Sequence, residues 1–105
     1  MGASLVAAGA VCMVALGAAA LVSVGAAAAE SQRAAGIADA AALAAAETLS
    51  GFAAGEPCAR AADVVRAQSA TVEECVLDGL VATVSIQTRF GVLPVTAIAR
   101  AGPPL

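Results

Sequence analysis

The sequence predicts an α+β protein: one long N-terminal helix, a short second helix and a three-stranded antiparallel meander. Three observations carry this reading. No Pro interrupts residues 2–56, and Ala, the strongest helix former, dominates them. Pro57 then opens a stretch whose apolar positions recur at helical spacing. From Thr71 the apolar positions switch to alternation, interrupted by Asp78-Gly79, a two-residue hairpin signal.

The first element divides by polarity. Ala3 to Ala29 carries no charged side chain, and a helix needs about 20 apolar residues to cross the hydrocarbon core of a bilayer. Residues 1–29 therefore read as a single transmembrane segment. The chain runs on through Glu30-Ser31-Gln32-Arg33 into a second Ala-rich stretch, so residues 30–56 read as a helix continuation and linker, ended by Gly51, Gly55 and Pro57. At 1.5 Å per residue the whole rod would reach about 70 Å. A competing reading is a secretory signal, because the small residues from Val24 to Ala29 suit signal peptidase; cleavage near Ala28 would release a small, disulfide-stapled binding protein. Against it, the apolar run exceeds the roughly 7–15 residues of a signal core, and no basic segment precedes it. The same lack leaves the orientation open, since Arg33, the nearest cation, lies on the wrong side for an N-inside helix.

Residues 57–105 read as a small extracytoplasmic head of helix plus sheet. Between Pro57 and Gln68, Cys58, Ala61, Ala62 and Val65 share one helical face. With Asp78-Gly79 as the turn, Leu77 faces Leu80, Cys75 faces Ala82 and Glu73 faces Val84. One sheet face then carries Cys75, Leu77, Leu80, Ala82, Val84 and Ile86, and the other, wetter face carries Val81, Thr83, Ser85, Gln87 and Arg89. Phe90-Gly91 turns the chain into a third strand, Val92 to Arg100, in which Pro94 favours an edge position, and Ala101 to Leu105 form a tail.

Composition limits the core and the chemistry. The 61% hydrophobic content is mainly Ala, with two Phe and no Trp or Tyr. Such a head needs a covalent staple or a partner, because Ala contributes far less on burial than the larger side chains. The net charge of −3, the absence of Lys and the scatter of Arg33, Arg60, Arg66, Arg89 and Arg100 argue against nucleic acid and against direct attraction to anionic lipid. The chain has no His, which removes imidazole bases, shuttles and metal ligands. Glu73 and Glu74 are adjacent on a strand and point to opposite faces, so they cannot converge on one bond. The expectation is a protein without catalytic function, cofactor, metal or small-molecule substrate.

Cys58 and Cys75 fall on the inner faces of the short helix and the first strand, so both point into one layer. A disulfide fits, worth about 3 kcal/mol for a loop of this length, and requires an oxidising compartment. A metal site lacks ligands, and a redox pair favours C-x-x-C spacing. Cys12, within the apolar run, reads as a small hydrophobe. Asp39 is a lone acid in the stretch Ile37 to Ala46. It is either a solvated face or a register-setting polar residue on a helix that packs on partners, with Ala38, Ala41 and Leu43 beside it.

Gln32-Arg33-Ala34-Ala35 followed by Ala38-Asp39-Ala40-Ala41-Ala42-Leu43-Ala44, directly after an N-terminal membrane helix, resembles the signature of TadE- and TadG-type proteins of the Tad/Flp (tight adherence) pilus. The Pro57-Cys58 start of the second helix, Cys75 before the Asp-Gly turn and the Ala99-Arg100-Ala101-Gly102-Pro103 ending are similar to the short TadE-like proteins of actinobacteria. The resemblance covers nearly the whole chain. It implies a pilin-like layout and a minor-pilin-like or pseudopilin-like subunit at the cell membrane, partnered by other pilin-like or Tad secretion subunits through its N-terminal helix. Prepilin-type processing in related proteins uses a Gly followed by Glu at the fifth mature position, whereas counting from Gly2 that position is Ala7. That departure from the family's pattern speaks against processing at Gly2 and leaves a membrane-anchored assembly factor as the alternative to incorporation as a pilin.

Overall fold

Residues 2–49 contain no proline and few β-branched side chains, and in the computed structural model, which describes residues 1–104, they form a single α-helix, α1 (Gly2–Leu49). At 1.5 Å per residue this helix accounts for the 75 Å long axis of the molecule. It ends in a Schellman motif at the expected place. The Phe52 N–H donates to the Glu47 carbonyl at 2.9 Å and the Gly51 N–H to the Thr48 carbonyl at 3.2 Å, with Gly51 at φ +86°.

Helix α2 (Pro57–Ala67) begins where the sequence places it. Pro57 takes the first helical position, where a missing N–H costs nothing, and the Glu56 carboxylate caps the helix by accepting from the N–H groups of Cys58 (3.1 Å) and Ala59 (2.7 Å). Of its expected inner face, Ala61 and Val65 are fully buried, and Cys58 and Ala62 are half-buried.

Strands β1 (Thr71–Asp78), β2 (Val81–Phe90) and β3 (Leu93–Ala101) form one antiparallel sheet in the order β1-β2-β3. The expected α+β layout is thus the observed one, and Pro94 lies on an edge strand. Leu105, the end of the expected tail, lies outside the described residues.

The first hairpin corrects the expected register. Its loop is Gly79-Leu80 rather than Asp78-Gly79, so Asp78 pairs with Val81, Leu77 with Ala82 and Cys75 with Val84. Gly79 has φ +60° while Leu80 does not have positive φ, the pattern of a type II′ turn with Gly first. The second hairpin repeats the device: Gly91-Val92 is the loop, Gly91 has φ +62° and Phe90 pairs with Leu93. Each Gly falls one place earlier in its loop than an Asp-Gly turn requires.

A two-residue shift preserves side-chain parity, so Ala82, Val84 and Ile86 still face inward and are fully buried. Leu77 and Leu80, expected on that packed face, are exposed, Leu80 because it is part of the turn itself. A bulge between Val72 and Glu74 then shifts the parity of β1, so Val72 pairs with Ile86, and Glu73 does not face Val84. On the outer face Ser85, expected to be wet, is buried: it sits on the central strand between the longer side chains of Glu74 and Ile98.

The core is built from the second half of α1. Ala34, Ile37, Ala38, Ala41, Ala42 and Ala45 are buried against α2, β2 and β3. The largest fully buried side chains, Ile86, Val65 and Val84, come from the elements facing that alanine surface. The packed unit therefore takes in α1 from Ala34 onward together with residues 57–101.

Enlarging the alanine face has a defined cost. Ala41→Leu overpacks a position with no free surface and is expected to lower the opening free energy of the head by about 1–3 kcal/mol. Leu43→Ala, on the exposed side of the same turn, is expected to change it by less than about 0.5 kcal/mol. Hydrogen-exchange protection of the β2 amides in detergent-solubilised protein measures both.

Candidate functional site

Functionally distinct surfaces meet on α1. Before Ala34 none of its residues is buried, and its large apolar side chains, including Leu5, Val11, Leu16 and Val22, stand exposed all round the helix. This is the single helix among the described residues long and apolar enough to cross a membrane. Beyond Ala34 the same helix becomes the inner wall of the head.

The residues expected to mediate helix packing separate accordingly. Ala38 and Ala41 are fully buried within the chain, against its own sheet and second helix. Asp39 and Leu43, one turn apart, stand on the opposite, exposed side. Leu43, 54% exposed, shares a shallow groove with Phe52, Pro103 and Pro104 at the end of the head farthest from the apolar half. Phe52, one of only two aromatic residues, is 87% exposed there. Sequence reasoning identified Leu43 but missed Phe52 and the prolines, which belong to loop and tail segments without periodicity.

Cys58 and Cys75 form a disulfide with a Cα–Cα distance of 5.9 Å. It ties the capped first turn of α2 to β1, a pair of elements otherwise joined by little packing. Such a bond fits an extracytoplasmic domain. Cys12 is a free cysteine on the exposed apolar helix.

The opposite end of the head, where α1 leaves it, holds a polar cleft. Arg33 pairs with Glu30 at 3.0 Å and also donates to the Gln68 carbonyl, so the C-terminus of α2 is fastened to α1. Ser69, with φ +58°, Thr88 and Arg89 complete the walls. The sequence gives no signal for this meeting of Arg33 and Arg89, because it depends on how β2 lies against the helix. No group of three or more metal-ligating side chains is assembled among the described residues.

No family model matches the chain, and no curated protein or solved structure is significantly similar to it.

The disulfide gives a direct test. Under denaturing conditions one of the three cysteines, Cys12, is expected to alkylate before reduction and all three after it. The Cys58→Ser, Cys75→Ser double variant is expected to lose about 3 kcal/mol of head stability, read as β2 amide protection.

Proposed function

We propose that the chain is a minor-pilin-like or pseudopilin-like, membrane-anchored component of a Tad/Flp pilus or related secretion system, with a structural or assembly role. The observation that carries this reading is the continuity of α1. One uninterrupted helix is at once an apolar anchor with no partner inside the chain and the inner wall of a small head. Lateral packing of such anchors would set the position of the heads directly, because no flexible joint separates them. The exposed Asp39 and Leu43, with Phe52 nearby, give the head a surface for neighbouring subunits. The TadE-like resemblance of the Gln32–Ala44 region adds to this reading. No catalytic role is assigned.

A second reading, a secreted binding protein released near Ala28, has one observation in its favour. Every buried residue lies at or beyond Ala34, so cleavage there would leave the core complete.

Intact-mass measurement of protein from its native membrane separates the two. Retention of residues 1–29 is expected, and loss of residues up to about Ala28 would overturn the anchored reading. In the same membranes, Leu43→Cys is expected to crosslink to pilus or secretion components, whereas the buried Ala38→Cys is not. Failure of Leu43→Cys to capture any such component would remove the assembly role.

A further inference from the structure

The membrane-proximal end of the head has its own chemistry. Strand β2 runs antiparallel to α1: its start, at Val81, lies beside Gly102 at the end of the head that holds Glu47, and its far end lines the cleft with Glu30 and Arg33. That cleft encloses about 350 Å³. It is lined by Arg33, whose guanidinium pairs with Glu30 and the Gln68 carbonyl, by the exposed Arg89, and by Thr88, which is 4% exposed and whose hydroxyl has no hydrogen-bond partner. A buried, unpartnered hydroxyl in a cleft lined by two arginines offers donors to an oxyanion.

The level of the cleft identifies the source of such an anion. Glu30 to Arg33 is the first turn after the apolar run, the height at which a spanning helix meets the headgroups. Beyond Arg89 the strand continues toward the anchor for about 3.3 Å per residue. The Gly91-Val92 turn therefore projects beyond the cleft, in the direction of the apolar half of α1. At that turn Val92 is 88% exposed and Leu93 61% exposed.

We propose that this end of the head is a phospholipid-binding surface, in which the Arg33–Arg89 cleft receives a headgroup phosphate while Val92 and Leu93 enter the bilayer interface. An apolar tip beneath a pair of cations matches the vertical order of acyl chain and phosphate in a leaflet. The net charge of −3 does not oppose this, because the two arginines are local and Glu30 is the one acid in the cleft. The proposal rests on the anchored reading and not on the pilus assignment.

The chain has no Trp, so single-Trp variants report without interference. Full-length Val92→Trp and, as control at the equivalent turn of the distal end, Leu80→Trp are reconstituted into phosphatidylcholine nanodiscs containing brominated phosphatidylcholine or brominated phosphatidylglycerol. Val92→Trp is expected to be blue-shifted and quenched, with Leu80→Trp unquenched. Brominated phosphatidylglycerol is expected to be about fivefold enriched at Val92→Trp over the phosphatidylcholine form, an excess that falls close to one when Arg89→Gln is added.

Equal quenching of the two reporters, or no phosphatidylglycerol excess in incorporated protein, overturns the proposal. A saturable response to inorganic phosphate without one to phosphatidylglycerol makes the cleft a free-anion site and also overturns it. Failure of the chain to enter nanodiscs at all sinks the anchored reading instead, so the two failures are distinguishable.

Discussion

The helix face made of alanine is the constraint on which the rest of this structure depends. With no side chain beyond Cβ at Ala34, Ala38, Ala41, Ala42 and Ala45, α1 approaches the sheet closely, and the volume between them is filled almost entirely from the other side. Val84 and Ile86 of β2 and Val65 of α2 supply that filling. Each contributes about 1.5–3 kcal/mol on burial, and few others of that size are buried. Such a core is thin for a head that must hold a two-helix, three-strand arrangement. The Cys58–Cys75 bond acts where it is thinnest, between α2 and β1, and the Glu56 cap and Pro57 fix the helix turn that presents Cys58.

The same alanine surface makes anchor and head one mechanical body. A larger inner face would have required the helix to stand off from the sheet, and a break at Glu30 would have uncoupled the two halves. Neither is present: Gly25 and Gly36 flank that point but both are helical, the helix passes through Glu30 to Arg33 unbroken, and Arg33 fastens it both to its own preceding turn and to the C-terminus of α2. Rotation or translation of the apolar half therefore moves the head with it. This is the property an assembly of bundled helices requires, and it is independent of the identity of the neighbouring subunits.

Much of this was legible in the sequence, and the parts that were not share a cause. The unbroken Ala-rich run, Pro57 after Gly55-Glu56 and the inward positions of Cys58 and Cys75 are local signals, and local signals sufficed for the helices and the disulfide. The first hairpin was recognised but misregistered, because Asp78-Gly79 and Gly79-Leu80 both offer a two-residue turn and only the second lets Cys75 stand opposite Val84. The bulge that turns Val72 inward in place of Glu73 has no local mark, since it follows from the demand that an apolar residue face Ile86. The cleft was invisible for the same reason: Arg33 and Arg89 come to line it through the path of β2, and nothing near either residue announces it.

That last point bears on how charge is read in a small chain with one helix apolar enough to cross a membrane. Summed over 105 residues, five arginines against eight acids make an acidic protein with little affinity for anionic surfaces. Yet an interaction with any charged surface is decided within about 8 Å of it, the screening length in physiological salt. Arg66 is paired with Asp63 on the exposed side of α2. Asp78 lies at the start of the turn farthest from the anchor. The cleft where α1 leaves the head is lined by Arg33, Arg89 and one carboxylate, Glu30, already engaged by Arg33, while Glu73 and Glu74 lie two and three residues along β1 from Thr71 at its edge. The fold therefore brings two of the five arginines, distant in sequence, to one cleft, a local arrangement that the summed charge of the chain conceals.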